Sequence, residues 1–238
     1  MSLLRFDSVK KQFMGRTVLA DITFTVEPGE IVGLIGPNGA GKTTMLNIMT
    51  GYLPLDGGAV YFQNRRIDNL RPFQISRLGI RRTFQLSKNF PRLSVLDNCL
   101  VASEAAGIPR AQALARAEEI LSDLTLLRLA DTPAAELSGG QQKLLEFASC
   151  FMTDPQLICL DEPFSAVHPD IKQIIFNYIK KRHAQGTTFL VIDHDVAIMK
   201  ELCLRLVASS AGRIIADGPT QAVLKDPKVI DAYLVSEV

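Results

Sequence analysis

Between Ile31 and Thr50 the chain reads IVGLIGPNGAGKTTMLNIMT, and this stretch narrows the possible folds more than any other. The apolar run from Ile31 to Ile35 predicts a buried strand. Lys42, Thr43 and Thr44 open an apolar helix ending at Gly51, and Gly36-Pro37-Asn38-Gly39-Ala40-Gly41 lies between. Strand, glycine-rich loop and helix thus follow in the order that the pattern G-x-x-x-x-G-K-[ST] requires. Glycines let backbone N–H groups turn inward around phosphate oxygens, because no Cβ blocks the approach. The helix start behind the loop adds unpaired N–H groups and partial positive charge. Lys42 supplies a mobile ammonium for β- and γ-phosphates, and Thr43 an oxygen for Mg²⁺. A glycine-rich turn without a ligand is the plainer reading, and the flanking strand and helix argue against it.

The rest of the chain alternates in the same way. Residues 3–13 and 18–26 alternate apolar and polar side chains and break at Met14-Gly15, which predicts antiparallel strands. Short strands are expected at 59–63 and 80–84, with a helix at 71–78 between them. From Leu86 to Gln156 no strand signal is present. Helices are expected at 94–106 and 111–127, parted by Gly107-Ile108-Pro109. After that, strands at 157–160, 188–192, 206–209 and 213–217 alternate with helices at 171–185 and 196–204, and two short helices close the chain. Strand–helix alternation implies a mostly parallel sheet covered by helices. The expected architecture is one α/β domain, residues 1–238. Its core is 1–85 and 157–238, with an N-terminal antiparallel β subdomain and an inserted α-helical subdomain at 86–156.

Composition sets limits on the function. A formal net charge of +1 gives no push towards nucleic acid. Cys99, Cys150, Cys159 and Cys203 form no C-x-x-C pair, which argues against metal and redox motifs. The N-terminal residues MSLLRFDSVKKQF lack the basic head and long apolar core of a signal peptide. No apolar run reaches the roughly 18 residues of a membrane span, so the chain is expected not to cross a membrane itself.

Three other places carry chemistry. LICLDEP, 157–163, is an apolar strand ending in two carboxylates, which packing alone does not favour. Asp161 suits a Mg²⁺ partner opposite the phosphate loop, and Glu162 the polarisation of an attacking water; two surface acids capping a strand are the alternative. LSGGQQ, 137–142, precedes an apolar helix. Ser138 there is a candidate N-cap, and Gly139 and Gly140 leave backbone N–H groups open to an anion, although a simple cap explains the same residues. Gln85 and His194 each follow a strand. Gln85 is placed to reach Mg²⁺ or the water, and His194 to donate to a γ-phosphate oxygen; lone residues of these types are more often structural.

Taken together, GPNGAGKTT, Gln85, LSGGQQ, LICLDEP, SAVHPD and His194 stand in the order found in the ATP-binding-cassette (ABC) ATPases, and the resemblance spans residues 3 to about 224. By this resemblance, Gly36 to Thr44 is Walker A of a P-loop NTPase core, Gln85 the Q-loop and Leu137 to Gln142 the signature motif. Gln141 would belong to the nucleotide contacts with Ser138, Gly139 and Gly140. Leu157 to Asp161 is similar to Walker B, Glu162 to the catalytic glutamate and His194 to the switch histidine. Phe13 falls where the family places an aromatic that stacks on adenine; it equally suits a core position. GIRRTFQ, FPRLSVLDN, LSGGQQKLLEFA and DPKVIDAYL resemble the ATPase subunits of branched-chain and hydrophobic amino-acid importers, with urea and amide importers close by. The segment after FPRLSVLDN is shorter than is common in that branch. The resemblance implies an ATPase that uses ATP and Mg²⁺ and pairs with a second ABC ATPase subunit, identical or similar. It further implies transmembrane permease subunits, a solute-binding protein and a place on the cytoplasmic face of the membrane. An exporter ATPase of lipid or lipopolysaccharide type, or a non-transport ATPase acting on DNA or ribosomes, is the alternative. Within the segment after Gln85, the apolar Phe90, Leu93 and Val95 beside Lys88 and Arg92 are expected at the surface, as a docking groove for a short permease helix; the alternative is that Phe90 and Leu93 only pack the helical subdomain onto the core.

Overall fold

Strand order is what places the functional loops. The structure is a computed structural model that describes residues 1–84 and 88–234. In chain order the strands are β1 (Leu4–Phe13), β2 (Arg16–Val26), β3 (Ile31–Ile35), β4 (Gly57–Phe62), β5 (Arg65–Arg66), β6 (Ile80–Arg82), β7 (Leu157–Asp161), β8 (Thr188–Ile192), β9 (Arg205–Ser210) and β10 (Arg213–Pro219). The helices are α1 (Lys42–Met49), α2 (Pro72–Arg77), α3 (Val95–Glu104), α4 (Arg110–Asp123), α5 (Gly139–Phe151), α6 (Pro169–Ala184), α7 (Val196–Leu202), α8 (Thr220–Val223) and α9 (Pro227–Leu234).

Among the described residues the strands form one curled sheet in the order β5-β4-β1-β2-β10-β9-β3-β8-β7-β6. The stretch β9-β3-β8-β7-β6 is parallel throughout. β1, β2, β4 and β5 pair antiparallel, as the N-terminal alternation predicts. The register aligns Leu34 with Ile192 and Ile192 with Asp161. The loops leaving β3, β8 and β7 therefore emerge side by side at the carboxyl edge of the parallel strands, where open α/β sheets bind ligands.

Successive side chains of a strand face opposite sides, and two apolar clusters result. In β7, Leu157 and Cys159 pack with Met45 and Met49 of α1. Ile158 and Leu160 pack with Phe147 and Phe151 of α5 and Ile175 of α6. α3 and α4 pack on α5, and α5 on α6. Thus α1 and α5, the helices behind the glycine loop and the Ser138 turn, rest on opposite faces of the sheet.

Three local expectations need correction. α4 stops at Asp123, four residues before the expected end. Thr125 takes φ +59°, and Leu126 N–H returns to Leu121 C=O at 2.8 Å while Thr125 N–H bonds Ser122 C=O at 3.1 Å. That is a Schellman stop, in a place without the glycine that usually announces one. Val95 is fully buried in the core, where a surface position was expected. It opens α3, and its N–H is taken by Thr132 C=O. The expected strand 80–84 ends at Arg82, because Phe84 N–H turns out of the ladder to the Glu146 carboxylate at 2.7 Å.

Candidate nucleotide site

The loop between β3 and α1 is shaped by close approaches. A Cβ on Gly36 would lie 2.1 Å from Ser209 O, and one on Gly41 2.4 Å from Leu19 Cδ2, with Gly41 at φ +90°. No other residue type fits either place without displacing a neighbour. Gly41 is also the N-cap of α1 and has no side chain to cap with, so Lys42, Thr43 and Thr44 present their backbone N–H groups at the helix start. The Lys42 ammonium donates to Gly36 O at 2.5 Å and to Pro37 O at 3.0 Å. Burial holds its pKa below the usual lysine value, while the Glu162 and Asp161 carboxylates pull the other way. A cleft of about 160 Å³ is lined by Asn38, Gly39, Ala40, Gly41, Lys42, Thr43 and Thr44, and by Glu162 and Ile192 from across the sheet. It is smaller than the roughly 300–1,000 Å³ of a pocket that encloses a drug-sized ligand. It suits the phosphate end of a ligand whose remainder lies outside.

Asp161 ends β7 and is buried. Its Oδ2 accepts from Arg82 Nη2 at 3.0 Å, and its N–H donates to Thr83 Oγ1. Burial raises its carboxyl above the ordinary carboxylate value, against the opposing pull of Arg82. Glu162 follows at φ +49° with its N–H on Ile192 O at 2.8 Å. Hydroxyl and carboxylate oxygens, here of Thr43 and Asp161, are the donor type for Mg²⁺, which binds through one or two protein oxygens plus substrate phosphates. The residues present fit that ion.

Among the described residues, Gly36, Pro37 and Asp161 adjoin the lining residues in sequence without lining this cleft, and Phe13, Ser138, Gly139, Gly140, Gln141 and His194 do not line it either. Ser138 caps α5: its Oγ accepts from Gln141 N–H, and Gln141 Oε1 accepts from Ser138 N–H at 2.9 Å. Ser138 and Gly139 are exposed, and neither they nor Gly140 or Gln141 line the cleft. His194 lies on the loop after β8 with its ring 69% exposed. Phe13 ends β1 and is 44% exposed, which removes the core reading. Gln85 lies outside the described residues.

Several groups at the site were missed in the sequence. Arg82 ties Asp161 to Asn47 Oδ1 of α1 at 2.6 Å and to Oγ1 of Thr50, the C-cap of that helix, at 3.3 Å. Lys143 of α5 donates to the carbonyls of Glu162 and Ser165. Asp193 accepts from Phe164 N–H at 3.1 Å, and the Tyr233 hydroxyl on α9 accepts Gly36 N–H at 2.8 Å. The available signal was a charged residue inside an apolar run, as in IRRTF or KLLEFA.

Comparison with known proteins agrees with this geometry. Residues 19–165 match the family model described as ABC transporter, and residues 213–234 one described as branched-chain amino acid ATP-binding cassette transporter. The probable branched-chain amino acid transport ATP-binding protein LivG of Methanocaldococcus jannaschii is 37% identical, over 98% of each chain. The lipopolysaccharide export system ATP-binding protein LptB of Acidithiobacillus ferridurans is 34% identical, over 98% of this chain and 96% of its own. A crystal structure of an ATP-binding cassette of an ABC transporter in its ADP conformation superposes with a TM-score of 0.88 at 36% identity, covering 98% of this chain and 99% of that one. A dimeric cassette bound to ADP and phosphate superposes at 0.82 with 25% identity, covering 91% and 98%. Likeness of this length, running through the glycine loop and the paired acids alike, means that the chain belongs to the ATP-binding subunits of ABC transporters.

Proposed function

We propose that this chain hydrolyses ATP to drive a separate permease, and that the cargo is an amino acid or a similar small polar solute taken up into the cell. One observation carries the hydrolytic part: Lys42 and Glu162 line one cleft, and Asp161 and Glu162 both act on the Lys42 charge. The α1 N–H groups and Lys42 would hold the β- and γ-phosphates. Glu162 would accept a hydrogen bond from the attacking water and orient it in line. His194, on its exposed loop, would donate to a γ-phosphate oxygen. Thr43 and Asp161 would hold Mg²⁺, which neutralises charge on the phosphates when bound.

Ser138, Gly139, Gly140 and Gln141 do not reach the cleft of their own chain. The reading therefore uses two ATPase subunits packed head to tail, each N-terminus of α5 facing the other's nucleotide and Phe13 stacking on the base. The likeness of this chain to a dimeric cassette supports that arrangement. A second cleft of about 350 Å³ opens between Tyr52, Arg81, Phe84, Lys88 and Glu146. Phe90 beside it is 53% exposed, while the buried Asn98 side chain accepts its N–H at 2.8 Å and donates to its carbonyl at 3.1 Å. We assign this region to a cytoplasmic permease helix, with residues 86–156 as the unit that moves with it. Docking there would hold the chain on the inner face of the membrane; no helix among the described residues is long and apolar enough to cross it.

Import is favoured by the C-terminal match at residues 213–234, and the likeness to LptB favours export. Reconstitution with the permease and labelled leucine separates them: uptake that needs ATP supports import, and its absence alongside lipid extraction supports export. For the hydrolytic role, Glu162→Gln keeps ATP binding and abolishes turnover, leaving an ATP-loaded dimer on sedimentation. Near-normal turnover would refute the role of Glu162.

A further inference from the structure

Lys143 is the fifth residue of α5, the helix that starts at the Ser138 turn. It is 7% exposed, and its Nζ donates to Glu162 O at 2.7 Å and to Ser165 O at 3.1 Å. An ammonium is costly to bury, and an apolar side chain would fill the same place without that cost. Its neighbours Leu144, Leu145 and Phe147 are apolar and buried. The backbone here is unusual: Glu162, the first acceptor, stands at φ +49°, and Ala166, directly after the second, at φ +55°. Non-glycine residues seldom take such angles without support from outside the loop. Support comes from three sides: Ile192 O holds Glu162 N–H, Asp193 holds Phe164 N–H, and the charged donor Lys143 holds the two carbonyls. Charge-assisted bonds are the stronger kind.

We infer that Lys143 is a positioning residue for Glu162, fixing the direction of its carboxylate at the phosphate cleft by clamping the carbonyls of residues 162 and 165. Because Lys143 stands on α5, it also ties that carboxylate to the Ser138 end of the same helix. The inference rests on the proposal that Glu162 orients the attacking water.

The test compares wild type with Lys143→Met, Lys143→Arg and Glu162→Gln. Steady-state hydrolysis yields kcat and KM, calorimetry the ADP affinity, and amide exchange the opening of residues 160–168. In Lys143→Met, kcat is expected to fall about 10- to 100-fold, as for a reacting group displaced by an ångström or less. KM and ADP affinity stay within about twofold, since the Lys42 loop is untouched, and exchange at 160–168 rises about tenfold. Lys143→Arg restores most of the turnover. Wild-type kcat in Lys143→Met overturns the inference. So does a joint loss of kcat, ADP affinity and melting temperature that arginine does not restore, because that is the mark of a merely structural residue. Normal turnover in Glu162→Gln removes the proposal beneath it, and is told apart from the other failures by that variant alone.

Discussion

Replacing Arg82 by Met tests the most deeply buried charge pair in the site. The Arg82 and Asp161 side chains are 5% and 7% exposed, and their Nη2···Oδ2 distance is 3.0 Å. Solvent screening that reduces surface pairs to a fraction of a kcal/mol does not apply at this burial. Arg82→Met leaves the Asp161 carboxylate without its guanidinium and takes a donor from the Asn47 side-chain Oδ1, which accepts from Arg82 at 2.6 Å. Breaking one side of a buried pair costs about 3–5 kcal/mol. The Glu162 carboxylate and the Lys42 ammonium act on Asp161 in opposite directions, so neither is counted as relief and a loss of at least about 3 kcal/mol is expected. For a chain of this length that lowers the melting temperature by about 6–12 °C. The comparison Arg82→Met, Asp161→Asn and the double variant, by urea unfolding without nucleotide and with a chelator, isolates the pair. With both charges gone no lone ion remains buried, so the double variant should lose at least about 1 kcal/mol less than the two single losses together. A melting temperature for Arg82→Met within 2 °C or so of wild type, or strict additivity, would refute the argument.

Other substitutions probe separate parts of the molecule. Lys42→Ala should weaken ATP binding at least tenfold by calorimetry, because the phosphate-facing ammonium is lost. Ser138→Arg should spare binding by the isolated chain and block ATP-driven dimerisation on a sizing column; unchanged dimerisation would sink the composite site. Thr125→Gly should stabilise the chain by about 0.5–1 kcal/mol in urea, since Thr125 holds φ +59° at the end of α4 where glycine carries no Cβ penalty. Phe90→Ala should leave melting and ATP binding unchanged while abolishing co-purification with the permease. Unfolding of that variant would show the ring to be a core element instead.

The parts of the site legible in the sequence are those whose geometry is local. A strand, six loop residues and a helix start are contiguous in Ile31–Met49, so their types and spacing alone specify the cradle. Ser138 and Gln141 form a capping box three residues apart, and α/β alternation already implies the parallel block of the sheet. The contacts that depend on strand order are another matter. Arg82 meets Asp161 across 79 residues, and Tyr233 meets Gly36 across 197. Each contact exists because β6 lies beside β7, or because α9 returns to the end of β3, and one-dimensional spacing holds no record of either. Lys143 looks like one more solvated charge until α5 is laid against the loop after β7. Val95 belongs to a stretch with the composition of a surface, and only the packing of α3 on α5 puts it inside. The stop after α4 obeys the same logic: Leu124 and Leu126 are both buried, and the chain turns between them at Thr125, a β-branched residue that does not favour the positive φ it takes there. Local hydrogen-bonding geometry can be written into a short run of residue types, whereas the pairing of buried charges is decided by which elements the sheet brings together.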